Sequence, residues 1–289
     1  MSDTLATGQR GRADLHIHTV ASDGTAGVEE ILEHVEHATD LDVIAITDHE
    51  RIDAAVAAQA LARNRGLRVE VVVGEEVTTL GGHLLALYVD RPIRPYKTLR
   101  TTILAVHEAG GLAIPAHPLV PYPLCAQGWM LRRLLDDPDP AAHPDAIETF
   151  NPTSLGKPWH RRVVRFADQH GLARVGNSDA HELAAIGSGW TTFPGHDAAA
   201  LRHAIEHGLT DHDGAFHATA GQLSTFGRQL RKRSRDLRDE VGGRIRRDGT
   251  GRDHGYPGGR QRPPRFDNGI AADREAKGHD AVAREAVAR

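Results

Sequence analysis

Six short apolar segments each carry histidines or acidic residues at one end, and that pairing constrains the fold more than anything else in the chain. They are residues 13–18 (ADLHIH), 43–49 (VIAITDH), 69–75 (VEVVVGE), 83–88 (HLLALY), 112–117 (LAIPAH) and 173–181 (ARVGNSDAH). Runs of this length rich in Val, Ile, Leu and Ala read as buried strands. Between them apolar residues recur three and four apart: Val28, Ile31, Leu32 and Val35 share one face of a helix expected at 27–38. Further helices are expected at 53–65, 96–108, 129–135, 159–170 and 196–207, with Gly66 and Gly171 placed as C-terminal stops. Alternating strands and helices imply a mostly parallel sheet covered by helices. An open doubly wound sheet and a closed barrel both satisfy that pattern. Side chains from six strand ends converge only if those ends ring one point, as at the C-terminal face of a barrel. A barrel is therefore expected.

The 289 residues suffice for a barrel plus an extension. Domain boundaries are expected at 1–12 (flexible N-terminus), 13–218 (barrel) and 219–289 (extension). Residues 220–289 hold 17 Lys and Arg against 10 Asp and Glu, whereas the other 219 hold 18 against 29. An acidic body thus carries a basic extension, which reads as a solvated tail with a possible amphipathic helix at 223–241. Cys125 is the single cysteine, so no intramolecular disulfide forms and a reducing compartment is expected. Without a signal-like apolar stretch near the start or a run of about 18 apolar residues, the expectation is a cytoplasmic protein with no membrane contact.

His16 and His18 are two apart on a strand and point to the same side. Asp23 lies in a turn before Gly24, and His49 ends a strand beside Asp48, a possible hydrogen-bond partner for a metal-ligating imidazole. Glu75 follows a Val run and could bridge two ions through its two oxygens. His83 opens an apolar strand, His117 precedes Pro118, and Asp179 and His181 form a second pair two apart. Taken singly, each has an ordinary reading as a turn, cap or surface residue. Together, all at strand termini, they form a candidate site for two or three divalent ions.

The ordered motifs DLHIHT, SDG, ITDH, GEE, GH, AHP and NSDAH resemble those of the PHP (polymerase and histidinol phosphatase) family over residues 13–193. That resemblance implies a distorted (β/α)7 barrel and a metal-dependent phosphoesterase using Mn, Zn, Fe or Mg. It implies one ion held by His16, His18, Glu75 and Asp179, a second by Glu75, His83 and His117, and a third by Asp23, His49 and His181. It further implies a hydroxide or water bridging the first two ions as nucleophile, with Glu75, Asp179 and His181 as the catalytic set. The sequence departs from many short members after the TDH motif, where Glu50-Arg51-Ile52-Asp53 stands. Arg51 is accordingly a candidate phosphate clamp, since a guanidinium matches phosphate oxygens bidentately. The expected substrate is a phosphomonoester: a nucleotide, an oligonucleotide end or a small phosphorylated metabolite. Two alternatives stay open. One is an amidohydrolase-like hydrolase of a non-phosphate substrate. The other is a nuclease whose basic tail, residues 228–265, contacts nucleic acid.

Overall fold

The computed structural model describes residues 10–153 and 156–216. The expected extension, with its helix at 223–241, lies outside the described residues. Among the described residues, nine strands and six α-helices form a mixed α/β fold: β1 (Gly11–Ile17), α1 (Val28–Ala38), β2 (Val43–Ile46), α2 (Asp53–Arg65), β3 (Glu70–Thr79), β4 (Gly82–Leu87), α3 (Leu99–Glu108), β5 (Leu112–Pro115), α4 (Gly128–Leu135), β6 (Ala146–Phe150), α5 (His160–His170), β7 (Ala173–Gly176), β8 (Gly189–Phe193), α6 (Ala198–Glu206) and β9 (Asp211–Gly214). No helix among the described residues is long and apolar enough to cross a membrane.

Seven strands form one sheet in the order β5-β4-β3-β2-β1-β8-β9, and β6 pairs with β7 alone. The sheet curls, and the β6–β7 pair fills the gap between its ends. Asp145, just before β6, donates its N–H to the Ala113 carbonyl of β5 at 3.0 Å. On the other side the chain leaving β7 joins β1: Ala180 donates to the His16 carbonyl and His18 donates to the Ala180 carbonyl. The start of β1 instead pairs antiparallel with β8, so its two halves have different neighbours on that side. The result is a distorted barrel of β1 to β7, with β8 and β9 extending the sheet from the start of β1 and packing against β7.

Two apolar layers follow from strand alternation. Ala13, Leu15, Val43, Ala45, Val72, Leu85, Leu87, Ile114, Ala146 and Val175 fill the barrel. Ile44, Ile46, Val71, Val73, Val77, Leu84 and Ala86 point outward, into the layer that also holds Ile31, Leu32, Ala55 and Ala58 of α1 and α2. With few aromatics available, small aliphatic side chains do this packing.

The helices match the expected segments closely. α2 and α5 stop at Gly66 and Gly171, with left-handed φ of 62° and 64°. α3 starts at Leu99 rather than 96, because Tyr96 and Lys97 are held by the β3–β4 turn. Tyr96 donates to the Thr78 carbonyl and Lys97 accepts from Leu80, leaving Thr98 to cap Thr101. The mostly parallel sheet has an exception in β4, which runs antiparallel to both β3 and β5. That reversal puts the start of β4, and hence His83, at the same end as the C-termini of β1, β2, β3 and β5.

Candidate metal centre

A bulge in β1 sets the first two imidazoles. Between Asp14 and Ile17 the chain advances three residues while β2 advances only two, from Ile44 to Ile46. Leu15 therefore faces the barrel interior, and so do His16 and His18, while Ile17 turns outward. Both histidines are buried. His49 follows β2, His117 follows β5, and Asp179 and His181 follow β7. His117 and Asp179 take positive φ, 32° and 52°. Non-glycine residues adopt such values at a cost of about 1–3 kcal/mol, and they concentrate at functional sites.

Eight of the nine sequence candidates come together: His16, His18, Asp23, His49, His83, His117, Asp179 and His181. The ninth, Glu75, does not. Its neighbour Glu76 stands there instead, and the reason is strand parity. On β3, Val71, Val73, Glu75 and Val77 alternate outward, whereas Val72 and Glu76 face inward. Glu75 accepts a hydrogen bond from the Ile93 N–H at 2.5 Å, and burial, with the nearby Glu50 carboxylate, pushes its pKa up to about 7. Glu76 occupies the place between the imidazoles that was expected of Glu75. Its Oε1 lies 2.6 Å from His83 Nδ1 and 3.1 Å from His117 Nε2. Its Oε2 lies 3.4 Å from Nε2 of both His16 and His18, and 3.2 Å from His49 Nδ1.

Four groups of potential ligand atoms result: His16, His18 and Asp179; His18, His49 and Glu76; Glu76, His83 and His117; His18, Asp23 and His181. The donor set suits divalent ions of the Zn, Mn or Fe kind. The spacing does too. Ligands about 2.1 Å from a tetrahedrally held ion stand about 3.4 Å apart. His16 Nε2 and His18 Nε2 are buried without a hydrogen-bond partner, yet each has the Asp179 Oδ1 atom 3.4–3.5 Å away. Leaving such nitrogens unmatched is costly, and a shared ion between nitrogen and oxygen would satisfy both.

Electrostatics keep the carboxylates ready as anions. Burial opposes ionisation of Asp23, Glu76 and Asp179, but the surrounding imidazoles outweigh it and hold all three well below the usual carboxylate range. Burial likewise disfavours charge on His181, but Asp23 and Asp179 raise it to about 9. His18 and His83 go the other way, lowered mainly by burial.

Arg51 is exposed and already engaged. Its Nε and Nη2 donate to the two Asp53 oxygens at 2.6 and 2.7 Å, and Nη1 donates to the Ala21 carbonyl. Asp48, expected to partner a ligand imidazole, instead accepts from Thr19 N, Thr19 Oγ1 and Ser22 Oγ in the loop that carries Asp23. Sequence reasoning passed over β6 and with it Glu148, a buried carboxylate against His16 Nδ1 at 3.1 Å. Its sequence signal is modest: one acid in the apolar run AIETF.

Comparisons agree with this architecture. A family profile described as PHP-associated matches residues 157–210. An uncharacterized protein of Methanocaldococcus jannaschii is 36% identical over 121 residues, 38% of this chain and 69% of the relative. A two-domain protein from Bacteroides vulgatus, containing a predicted PHP-like metal-dependent phosphoesterase, superposes with a TM-score of 0.58 at 16% identity, over 78% of this chain and 70% of the other. The chain belongs to the PHP family. This PHP protein also shares 33% identity over 82 residues with a 5'-3' exoribonuclease of Haemophilus influenzae, 27% of this chain and 29% of that relative.

Proposed function

We propose that this PHP protein is a metal-dependent hydrolase of a phosphomonoester: a nucleotide, an oligonucleotide end or a small phosphorylated metabolite. One observation supports it above the rest. The two oxygens of Glu76 face different imidazole sets, His83 and His117 on one side and His16, His18 and His49 on the other. That is the arrangement needed to space two divalent ions beside each other. Such ions, when bound, neutralise charge on phosphoryl oxygens and lower the pKa of water.

The chain's own residues set the geometry. Asp179 is steadied by Asn151 Nδ2 at 3.2 Å. His181 Nδ1 lies 2.9 Å from the Asp179 carbonyl, so Nε2 faces Asp23 at 3.2 Å and can hold a proton there. Arg51 would grip a phosphate only after releasing Asp53.

The test is elemental analysis of purified protein, with the same sample assayed on nucleoside monophosphates, a phosphodiester and short 5'-phosphorylated RNA. Two to three ions per chain with phosphate release supports the reading. Full metal with hydrolysis only of amide or lactone substrates would replace it with an amidohydrolase-like activity. The similarity to the exoribonuclease favours one further reading, a nuclease aided by the basic residues 228–265. RNA affinity that falls steeply with salt, together with release of mononucleotides, would select that reading.

A further inference from the structure

We infer that Glu148 is a positioning residue that aims His16 and couples three of the ligand-bearing strand ends to one another. This inference rests on the metal-centre reading and deepens it. Glu148 lies on β6, 2% exposed, and touches no other carboxylate of the cluster among its hydrogen-bond partners.

Four groups converge on its two oxygens. Oε1 lies 3.1 Å from His16 Nδ1 and 2.8 Å from Asn177 Nδ2. Oε2 lies 2.6 Å from the His117 backbone nitrogen and 3.2 Å from Asn151 Nδ2. The direction of these bonds is determined by the surrounding backbone. The Asn177 Oδ1 accepts from the Leu15 N–H at 3.1 Å, so its amide nitrogen must face Glu148. Asn151 Oδ1 accepts from the Thr153 N–H at 3.1 Å, so its amide nitrogen faces Glu148 and Asp179 together. The His117 N–H can only donate. Three certain donors leave both arms of Glu148 as acceptors, which makes His16 Nδ1 the fourth donor.

That bond fixes the ring. With Nδ1 donating to Glu148, His16 turns Nε2 toward Glu76 and Asp179, the face on which an ion would sit. Carboxylates behind ligand imidazoles act in this way at metal sites generally, and their removal lowers metal affinity about 10–100-fold. Here the same carboxylate also holds the strained His117 backbone of the β5 end, φ 32°, and reaches Asp179 at the β7 end through Asn151. A glutamine cannot substitute, because it offers one acceptor oxygen where both arms face donors.

The experiment compares the full chain with Glu148→Gln and with Asn151→Ala, which removes the Asn151 bonds to Asp179, Glu148 Oε2 and Thr153 N–H but leaves the Glu148 contact with His16 in place. Two readouts are taken: Zn affinity by competition with a chromophoric chelator, and the His16 Nδ1 proton by NMR without added metal. Wild type should show a downfield, exchange-protected proton at that nitrogen. Glu148→Gln should lose it and bind Zn about 10–100-fold more weakly. Asn151→Ala should keep the proton and bind Zn about 3–10-fold more weakly, a smaller loss than the about 10–100-fold general for outer partners of ligands. A folded Glu148→Gln with an unchanged His16 proton or unchanged Zn affinity would overturn the inference. If Glu148→Gln does not fold, Asn151→Ala with wild-type affinity does so. A wild-type chain that shows the protected proton but binds no divalent ion would instead overturn the metal-centre reading, leaving the aim of His16 intact.

Discussion

At the scale of single residues, the adjacent acids Glu75 and Glu76 give the sharpest contrast. One faces the helices and the other the ligand cluster, although they share a strand and both are buried. Glu76→Gln removes the negative charge that five imidazoles face, so we expect loss of at least one ion and a fall in activity beyond about 100-fold, more than outer partners of ligands command. Glu75→Gln should retain full metal content and activity within about threefold, since Glu75 touches none of the cluster residues and a glutamine oxygen can still accept from the Ile93 N–H. Metal content and kcat of the two variants, measured side by side, check this. Reversal of the two outcomes would return the bridging role to Glu75. Asp179→Asn should also lose metal while folding, because Asn151 can still hydrogen-bond the new amide oxygen.

Elements place these residues through their ends and irregularities. Gly82, first residue of β4, has φ 121°, and a Cβ there would meet the Ala126 nitrogen at 2.5 Å. Gly82→Ala should therefore destabilise the fold by about 1–3 kcal/mol and displace His83, the next residue. Calorimetry and metal content together read both effects. The contact between α3 and the start of β6 should give a pH dependence. His107 Nε2 lies 2.8 Å from Asp145 Oδ2, and that hydrogen bond, stronger than the opposing burial, raises the histidine's pKa. A histidine raised on folding stabilises fully below its unfolded value near 6.5, and this stabilisation disappears as pH rises through the folded value. The melting temperature should thus decline as pH rises above about 6.5. His107→Gln should flatten that decline, and an unchanged slope in the variant would refute the assignment.

For the molecule as a whole, ion binding and folding should be linked, since no unfolded chain presents residues from six strand ends together. An ion at 100 times its Kd adds about 2.7 kcal/mol of stability. For a domain of this size that raises the melting temperature by about 5–10 °C. Chelation should lower it by the same amount, and Zn or Mn should restore it; no shift on chelation and re-addition would argue against a metal centre. Periodicity and spacing alone determined the helices, the barrel rather than an open sheet, and eight of the nine cluster members, because these depend on local alternation and on which residues end apolar runs. Tertiary structure decided the rest. GEE contains two acids, and their order along the chain does not say which faces inward; the register of β3 against β2 and β4 does. Likewise the β1 bulge, the reversal of β4 and the placement of Glu148 behind His16 arise from pairings between distant strands. Local sequence carries the ligands, and long-range pairing carries their aim.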